Sequence, residues 1–160
     1  AEISSINEAY STHSSCPWGF THRGIDFMIS SDHVAFQAVS SGQVMSIDKF
    51  LNTGNGFWQV NVVVKYNNSF EVNYAFEPFT STEAGGNIQL GYIQVSEGDK
   101  ILQGDVIGYL HYDKPGAHVH FDLFRDGQSI CPESYFTSSA VQDILDILHQ
   151  TFPGANMCYE

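Results

Sequence analysis

The sequence predicts a mainly β domain of antiparallel strands, with one α-helix near its C-terminal end. Short runs rich in Val, Ile, Phe and Tyr recur between clusters of Gly, Asn, Asp and Ser, a pattern typical of strands joined by tight turns. Helical spacing of apolar side chains is found only in residues 138–154. With 160 residues, of which 42% are hydrophobic, the chain is long enough to enclose a core within one domain.

Seven segments are the candidate strands, and turn residues lie between them. The segments are residues 25–29, 33–39, 43–50, 57–66, 70–76, 106–110 and 118–124. Asn67 and Asn68 separate two of them and predict a hairpin turn, because Asn tolerates positive φ. Gly98 and Gly104, each followed by Asp, predict the bends of a tight meander. Residues 81–89, "STEAGGNIQ", are expected to form a mobile loop.

The predicted C-terminal helix has apolar residues at i, i+3, i+4 and i+7, beginning at Val141. Ser139 and Gln142 have the spacing of a capping box at its start. Pro153 and Gly154 are expected to end the helix.

The charge of the chain excludes several classes of partner. Six Lys and Arg residues stand against 18 Asp and Glu, a formal net charge of −12. Duplex nucleic acid and anionic membranes both require clustered positive charge, so neither is expected as a partner. No run approaches the ~20 apolar residues of a membrane span, and the first ten residues lack the features of a signal peptide, so no leader is expected within this chain. The sequence gives no indication of oligomeric state.

The three cysteines, Cys16, Cys131 and Cys158, form no C-x-x-C pair, which argues against a thiolate zinc knuckle. An odd number leaves at least one free thiol or an intermolecular bridge. A Cys131–Cys158 disulfide would form if the C-terminal helix folds back, and it would suit an extracytoplasmic location.

Two segments bring potential metal ligands together. In "GAHVHFDLF", residues 116–124, strand alternation places His118 and His120 on one face. In "THRGIDF", residues 21–27, Gly24 permits a bend that carries His22 into a strand beginning near Asp26. Imidazole nitrogens and one carboxylate form a site that zinc accepts, with a fourth position left for water. The alternative is a local turn and an exposed polar strand face without a metal.

In the order and spacing of four segments, the chain resembles the lysostaphin/LytM-type zinc endopeptidases, which cut peptide cross-links of peptidoglycan. "HRGIDF" resembles the H-x-G-x-D motif of that family, and "AFQAVSSGQV" resembles the segment that follows it. "VSEGDKILQGDVIGYL" is similar to the family's glycine-rich meander, and "GAHVHFDLFRDGQSICPESYF" to its H-x-H strand and exit. The resemblance implies a LytM-type antiparallel sheet or sandwich, with a core at residues 21–136. Residues 1–20 would be an extension packing on that core, and residues 137–160 a helix and tail.

The resemblance also implies the site. His22, Asp26 and His120 would bind one Zn²⁺, and His118 would handle protons or stabilise the transition state. The family's second catalytic histidine lies in a Y-x-H segment, which aligns with Tyr74-Ala75-Phe76 and so places phenylalanine at that position.

Phe76 cannot transfer a proton, so another group would have to replace the missing histidine. The candidates are His111, His13 and Glu77, and His111 is favoured because it precedes the loop into the H-x-H strand. Tyr74 and Phe76 share a face, which makes Phe76 an aromatic of the core or of a pocket wall, and both are the candidate substrate contacts. Replacing Phe76 by histidine is expected to increase cleavage if this position alone attenuates the enzyme.

Together these features predict a secreted or periplasmic zinc metallopeptidase acting on peptide bonds of peptidoglycan, with activity reduced or altered by Phe76. The alternative is a zinc-binding module that binds cell-wall peptides or regulates another hydrolase without cutting.

Overall fold

The structure, a computed structural model, describes residues 2–160 and is mainly β. Its strands are β1 (Ile3–Ile6), β2 (Tyr10–Ser11), β3 (Ile25–Ile29), β4 (Val34–Gln37), β5 (Gly42–Asn52), β6 (Phe57–Lys65), β7 (Phe70–Thr80), β8 (Lys100–Ile101), β9 (Val106–Leu110), β10 (His118–Arg125), β11 (Gln128–Ser129) and β12 (Cys158–Tyr159). Its helices are α1 (Glu83–Gly91) and α2 (Ser138–Thr151), and a 3₁₀ turn spans Glu133–Tyr135.

One large antiparallel sheet carries the fold. Its strands follow the order β1-β3-β10-β7-β6-β5-β8, and the short β11 pairs with β10 beside this path. β4 and β9 form a separate antiparallel ribbon, and β2 and β12 form a parallel one. The predicted antiparallel β fold is confirmed. β10, the strand of the H-x-H motif, lies between β3 and β7, so side chains from three strands converge around it.

The predicted turns are confirmed. The Asn67 side chain accepts hydrogen bonds from the backbone N–H groups of Ser69 (2.8 Å) and Phe70 (2.9 Å), which closes the β6–β7 hairpin. Gly98 and Gly104 adopt φ values of +88° and +89° at the bends of the meander. These positive φ values favour glycine because a Cβ would be strained there.

The protein has two hydrophobic cores. The main core lies against the apolar face of the large sheet, where Val119, Phe121 and Leu123 of β10 are buried. A second core lies between α2 and the N-terminal strands and includes Ile6, Trp18, Ile25, Ile144, Leu148 and Met157. Alternation along β10 therefore buries one set of side chains in the main core and turns His118 and His120 to the opposite face.

The prediction of a mobile loop at residues 81–89 is wrong, since most of that segment belongs to α1. Thr82 caps this helix by accepting a hydrogen bond from the backbone N–H of Gly85. Gln89 is fully buried, donates to the Tyr109 carbonyl (2.8 Å) and accepts from the backbone N–H of His111 (2.8 Å). The structure thus contains two α-helices rather than one.

The C-terminal helix forms as predicted, but its predicted capping box is wrong. Thr137 is the N-cap, and its hydroxyl accepts the backbone N–H of Ala140 at 3.2 Å. Ser139 lies inside the helix, and Gln142 donates to Asp146 one turn further on (2.7 Å). An Ncap hydroxyl accepts from the N2 or N3 amide, and Thr137 rather than Ser139 occupies that place.

The predicted disulfide between Cys131 and Cys158 is confirmed, with 6.0 Å between the two Cα atoms. It fastens the C-terminal tail to the segment after β11. Cys16 is a free thiol. Within residues 2–160, neither helix is long and apolar enough to cross a membrane.

Candidate metal centre

The pairing of β3 with β10 places Asp26 directly opposite His120. Nδ1 of His120 lies 2.7 Å from Oδ1 of Asp26, and Nε2 of His22 lies 3.3 Å from the same oxygen. His22, Asp26 and His120 each offer a ligand atom, and these atoms lie within 4.8 Å of one another. The structure therefore brings the three predicted ligands together in a group that could hold a metal ion.

His22 reaches this group from the loop before β3, and Gly24 makes the approach possible. Gly24 has φ +129°, and a Cβ at this position would overlap the Phe121 carbonyl oxygen and lie 2.9 Å from the His120 ring. Nδ1 of His22 donates to the Ala9 carbonyl at 3.1 Å. Because a carbonyl only accepts, this bond keeps a proton on Nδ1 and directs Nε2 of His22 towards Asp26.

Asp26 is buried but ionised. Burial on its own would raise the pKa of its carboxyl group, but hydrogen bonds from His120 and His22 outweigh it and hold the pKa well below its usual range. Burial also opposes the charged form of His22, yet the bond to Asp26 raises the pKa of this imidazole. The hydrogen bonds therefore favour the carboxylate form of Asp26, which is the form that binds a metal ion.

His118 is not one of the three grouped ligands but lies beside them. Its Nε2 is 3.2 Å from Oε2 of Glu77 and 3.5 Å from Oδ2 of Asp26. Its Nδ1 donates to the Gly116 carbonyl at 2.7 Å. Burial would lower the pKa of His118, but the hydrogen bond to Glu77 and the charge of Asp26 raise it to about 9. His118 and Glu77 thus form an acid–base pair next to the candidate ligands.

These groups line a pocket of about 480 Å³. Its lining residues are Asn7, Glu8, His22, Asp26, Met28, Asn55, Glu77, Phe79, Gly116, His118 and His120. Three carboxylates and no lysine or arginine belong to this lining. Burial and the negative charge of Asp26 raise the pKa of the Glu8 carboxyl group.

Tyr74 and Phe76 lie on the other face of the sheet, in the main core. The β7–β10 pairing places Glu77 opposite His118 and Phe76 opposite Val119, so Phe76 points away from the pocket. In this register Glu77 rather than Phe76 faces His118. Neither Tyr74 nor Phe76 reaches the pocket, which contradicts the expectation that they contact substrate there.

His111 and His13, two of the proposed replacements for the missing histidine, do not line the pocket. Nδ1 of His111 lies 3.1 Å from Oδ1 of Asp32, a carboxylate that also accepts from the Tyr112 backbone N–H (2.7 Å). This pairing places His111 outside the pocket, so the structure does not support its choice as a catalytic group. Of the three candidates, the structure brings only Glu77 to His118.

Some pocket residues had no signal in the sequence. Glu8 and Asn7 lie in the N-terminal segment, where nothing in the local pattern connects them with the histidines. Glu77 had a partial signal, since Val72, Tyr74 and Phe76 alternate on the apolar face and leave Glu77 on the polar one. That pattern gives the face of Glu77 but not its partner across the sheet.

Comparison with known proteins supports the fold. No family model matches the sequence, and no curated protein matches it either. A zinc-containing peptidase from Vibrio cholerae shares the fold with a TM-score of 0.55 and 18% identity, over 78% of this chain and 34% of that one. Helicobacter pylori Csd3 matches with a TM-score of 0.58 and 16% identity, over 94% and 41%. Lysostaphin matches with a TM-score of 0.50 and 16% identity, over 96% and 54%.

The chain therefore spans between a third and just over a half of the length of these three structures. The superpositions establish a common fold, but identities of 16–18% do not establish a common activity. The mainly β architecture of this chain is a lysostaphin-type fold.

Proposed function

We propose that this protein is a zinc-dependent peptidase that hydrolyses peptide bonds, with peptide cross-links of peptidoglycan as its substrate class. The observation that carries the proposal is the placement of His22, Asp26 and His120 at one pocket with the His118–Glu77 pair beside them. Three grouped ligands and an adjacent acid–base pair are the parts that metal-assisted amide hydrolysis needs.

The donor set fits zinc. Two imidazoles and one carboxylate are ligands that zinc prefers, and three protein ligands are typical of catalytic rather than structural zinc. Hydrogen bonds hold the pKa of Asp26 below its usual range, and the bond from His22 to Ala9 fixes that ring with Nε2 directed at the candidate site. When bound by these residues, Zn²⁺ would polarise the peptide carbonyl and activate water.

His118 and Glu77 supply the proton chemistry in this proposal. Nε2 of His118 faces the pocket, where a protonated imidazole can donate to an oxyanion or to the departing amine. Glu77, 3.2 Å away, stabilises that protonated form and accepts a proton from it. In this proposal Glu77 replaces the family's second catalytic histidine, whose aligned position is occupied by Phe76.

The substrate class and the location rest on the fold and on the disulfide. Lysostaphin and a zinc-containing peptidase share this fold. The Cys131–Cys158 bridge is of the kind that persists in oxidising compartments, which supports a secreted or periplasmic location.

Metal analysis of the purified protein, combined with a peptidoglycan cleavage assay, tests the proposal. The wild type should hold one zinc per chain and release peptide fragments. His22→Ala and His120→Ala should lose both properties, whereas His149→Gln, at a histidine that bonds the Ala155 carbonyl away from the pocket, should keep both. Zinc that survives both ligand substitutions would refute the site. Bound zinc without cleavage of any peptide would identify a binding module instead.

A further inference from the structure

Phe79, near the end of β7, has an unusual backbone. Its φ is +60°, in the left-handed region. The other non-glycine residues with positive φ are His33 and Asp126, residue types that tolerate this region better than a bulky aromatic does. A bulky residue keeps such a conformation only when its surroundings hold it there, and residues of this kind cluster at functional sites.

Phe79 and Gly116 line the pocket, and aromatic and backbone groups on two sides hold Phe79 in place. Its ring stacks on that of Phe57, with 4.5 Å between the centroids and 26° between the planes. The ammonium group of Lys114 lies 4.4 Å from the centre of the Phe57 ring. On the other side the Phe79 ring packs against Gly116 so closely that a Cβ at Gly116 would overlap it. Phe79 is therefore clamped between the β5–β6 turn and the segment that leads into β10.

Gly116 connects Phe79 with His118. The Gly116 carbonyl accepts the Nδ1–H of His118 at 2.7 Å, and this bond fixes the orientation of the ring. The Phe79 ring also contacts the His118 ring edge-on, with 5.8 Å between the centroids and 68° between the planes. As a result, Nε2 of His118 faces Glu77 and the candidate ligands.

We propose that Phe79 is a positioning residue for His118. Its ring holds the Gly116 carbonyl where it accepts from Nδ1 and limits rotation of the imidazole, so that Nε2 remains directed at the substrate. This inference rests on the proposed role of His118 in peptide hydrolysis. The left-handed backbone of Phe79 is the conformation that places its ring against both Gly116 and His118.

Three substitutions separate the ring from the backbone. Phe79→Asn removes the ring but suits the left-handed conformation. Phe79→Leu keeps apolar bulk without a flat ring, and Phe79→Tyr keeps the ring. Phe70→Leu, at the other end of β7 and away from the pocket, is the matched control.

The readouts are the ¹H–¹⁵N NMR signals of the His118 imidazole, assigned with His118→Gln, together with zinc content, kcat and KM. In the wild type the Nδ1–H of His118 should give a slowly exchanging signal. Phe79→Asn and Phe79→Leu should lose this signal and lower kcat roughly 10–100-fold, because misplacing a catalytic group by about 1 Å is enough for such a loss. Both should retain zinc, and Phe79→Tyr and Phe70→Leu should behave as the wild type.

An unchanged His118 signal and kcat in Phe79→Leu, with only KM raised, would show that Phe79 is merely a wall of the substrate site and would overturn the proposal. If Phe79→Asn does not fold, Phe79→Leu makes the same comparison. If the wild type cleaves nothing, the proposed function fails, yet the NMR signals of the variants still decide whether Phe79 positions His118.

Discussion

Replacing Phe76 by histidine is expected to destabilise the protein without adding a catalytic group. The Phe76 side chain is 0% exposed in the main core, where its ring meets that of Phe36 edge-on with 6.0 Å between the centroids. Losing the burial of a phenylalanine ring costs about 1.5–3 kcal/mol. An imidazole nitrogen left without a partner in that core adds about 1–3 kcal/mol. The total is about 2.5–6 kcal/mol, a large part of the ~5–15 kcal/mol that stabilises a typical domain.

Urea denaturation measures this effect. With a slope of roughly 1–3 kcal/mol per molar urea, a loss of this size lowers the midpoint by roughly 1–6 M. Glu77→His, at the neighbouring residue whose side chain lines the pocket, should fold with a midpoint close to the wild type and retain zinc. Phe70→His at the start of β7 is the control for histidine in the same strand. A Phe76→His protein of wild-type stability with faster cleavage would refute the register that we derive for β7 and β10.

Four further predictions follow from individual contacts. Glu77→Gln should lower kcat by about 10²–10⁴, the usual size of a general acid–base contribution, with zinc content unchanged, and an unaltered kcat would remove Glu77 from the mechanism. His111→Gln should leave kcat within about twofold of the wild type, because His111 does not line the pocket, and a loss comparable to that of Glu77→Gln would contradict its placement. Replacing both Cys131 and Cys158 by serine should reduce the free energy of unfolding by about 3.5 kcal/mol, the loop-closure value for a sequence separation of 27, as measured by urea denaturation under oxidising conditions. Burial on its own would raise the pKa of Asp32, but hydrogen bonds from a backbone N–H and from His111 lower it. Because the folded pKa is below the unfolded value of about 3.9, the Asp32 carboxylate stabilises the protein at higher pH. This stabilisation is lost as the pH falls through the folded pKa. The melting temperature of Asp32→Asn should therefore lie below that of the wild type at pH 6, and the difference should shrink as the pH falls below about 3.9.

The sequence was most informative for features that depend only on residues close together in the chain. The spacing of His22, Gly24 and Asp26 requires a bend followed by a strand, and glycine is the residue that permits the close approach to β10. Alternation alone assigned Val119 and Phe121 to the core and His118 and His120 to the other face. These features follow from backbone geometry and can be predicted without knowing which strands pair.

Helix α1 shows where local propensity failed. Its glycines and polar residues favour a loop, but Gly85 and Gly86 allow close contacts. A Cβ at Gly85 would overlap the Thr80 side chain, and one at Gly86 would lie 3.0 Å from Cβ of Trp58. The buried Gln89 then bonds the backbone at β9. Tertiary contacts with β6 and β7 stabilise a helix that the segment alone does not predict.

The sequence by itself determined the β class, the two ligand-bearing segments and the faces of β10. Only the tertiary structure decided which residue stands across from His118, because cross-strand register depends on the whole sheet rather than on either strand. A register irregularity interrupts the β6–β7 pairing between Trp58 and Val60, close to the position in question. A shift of one residue in register exchanges the two faces of a strand. Phe76 and Glu77 are adjacent in β7, so a difference of one residue decides whether a side chain lies in the core or in the pocket.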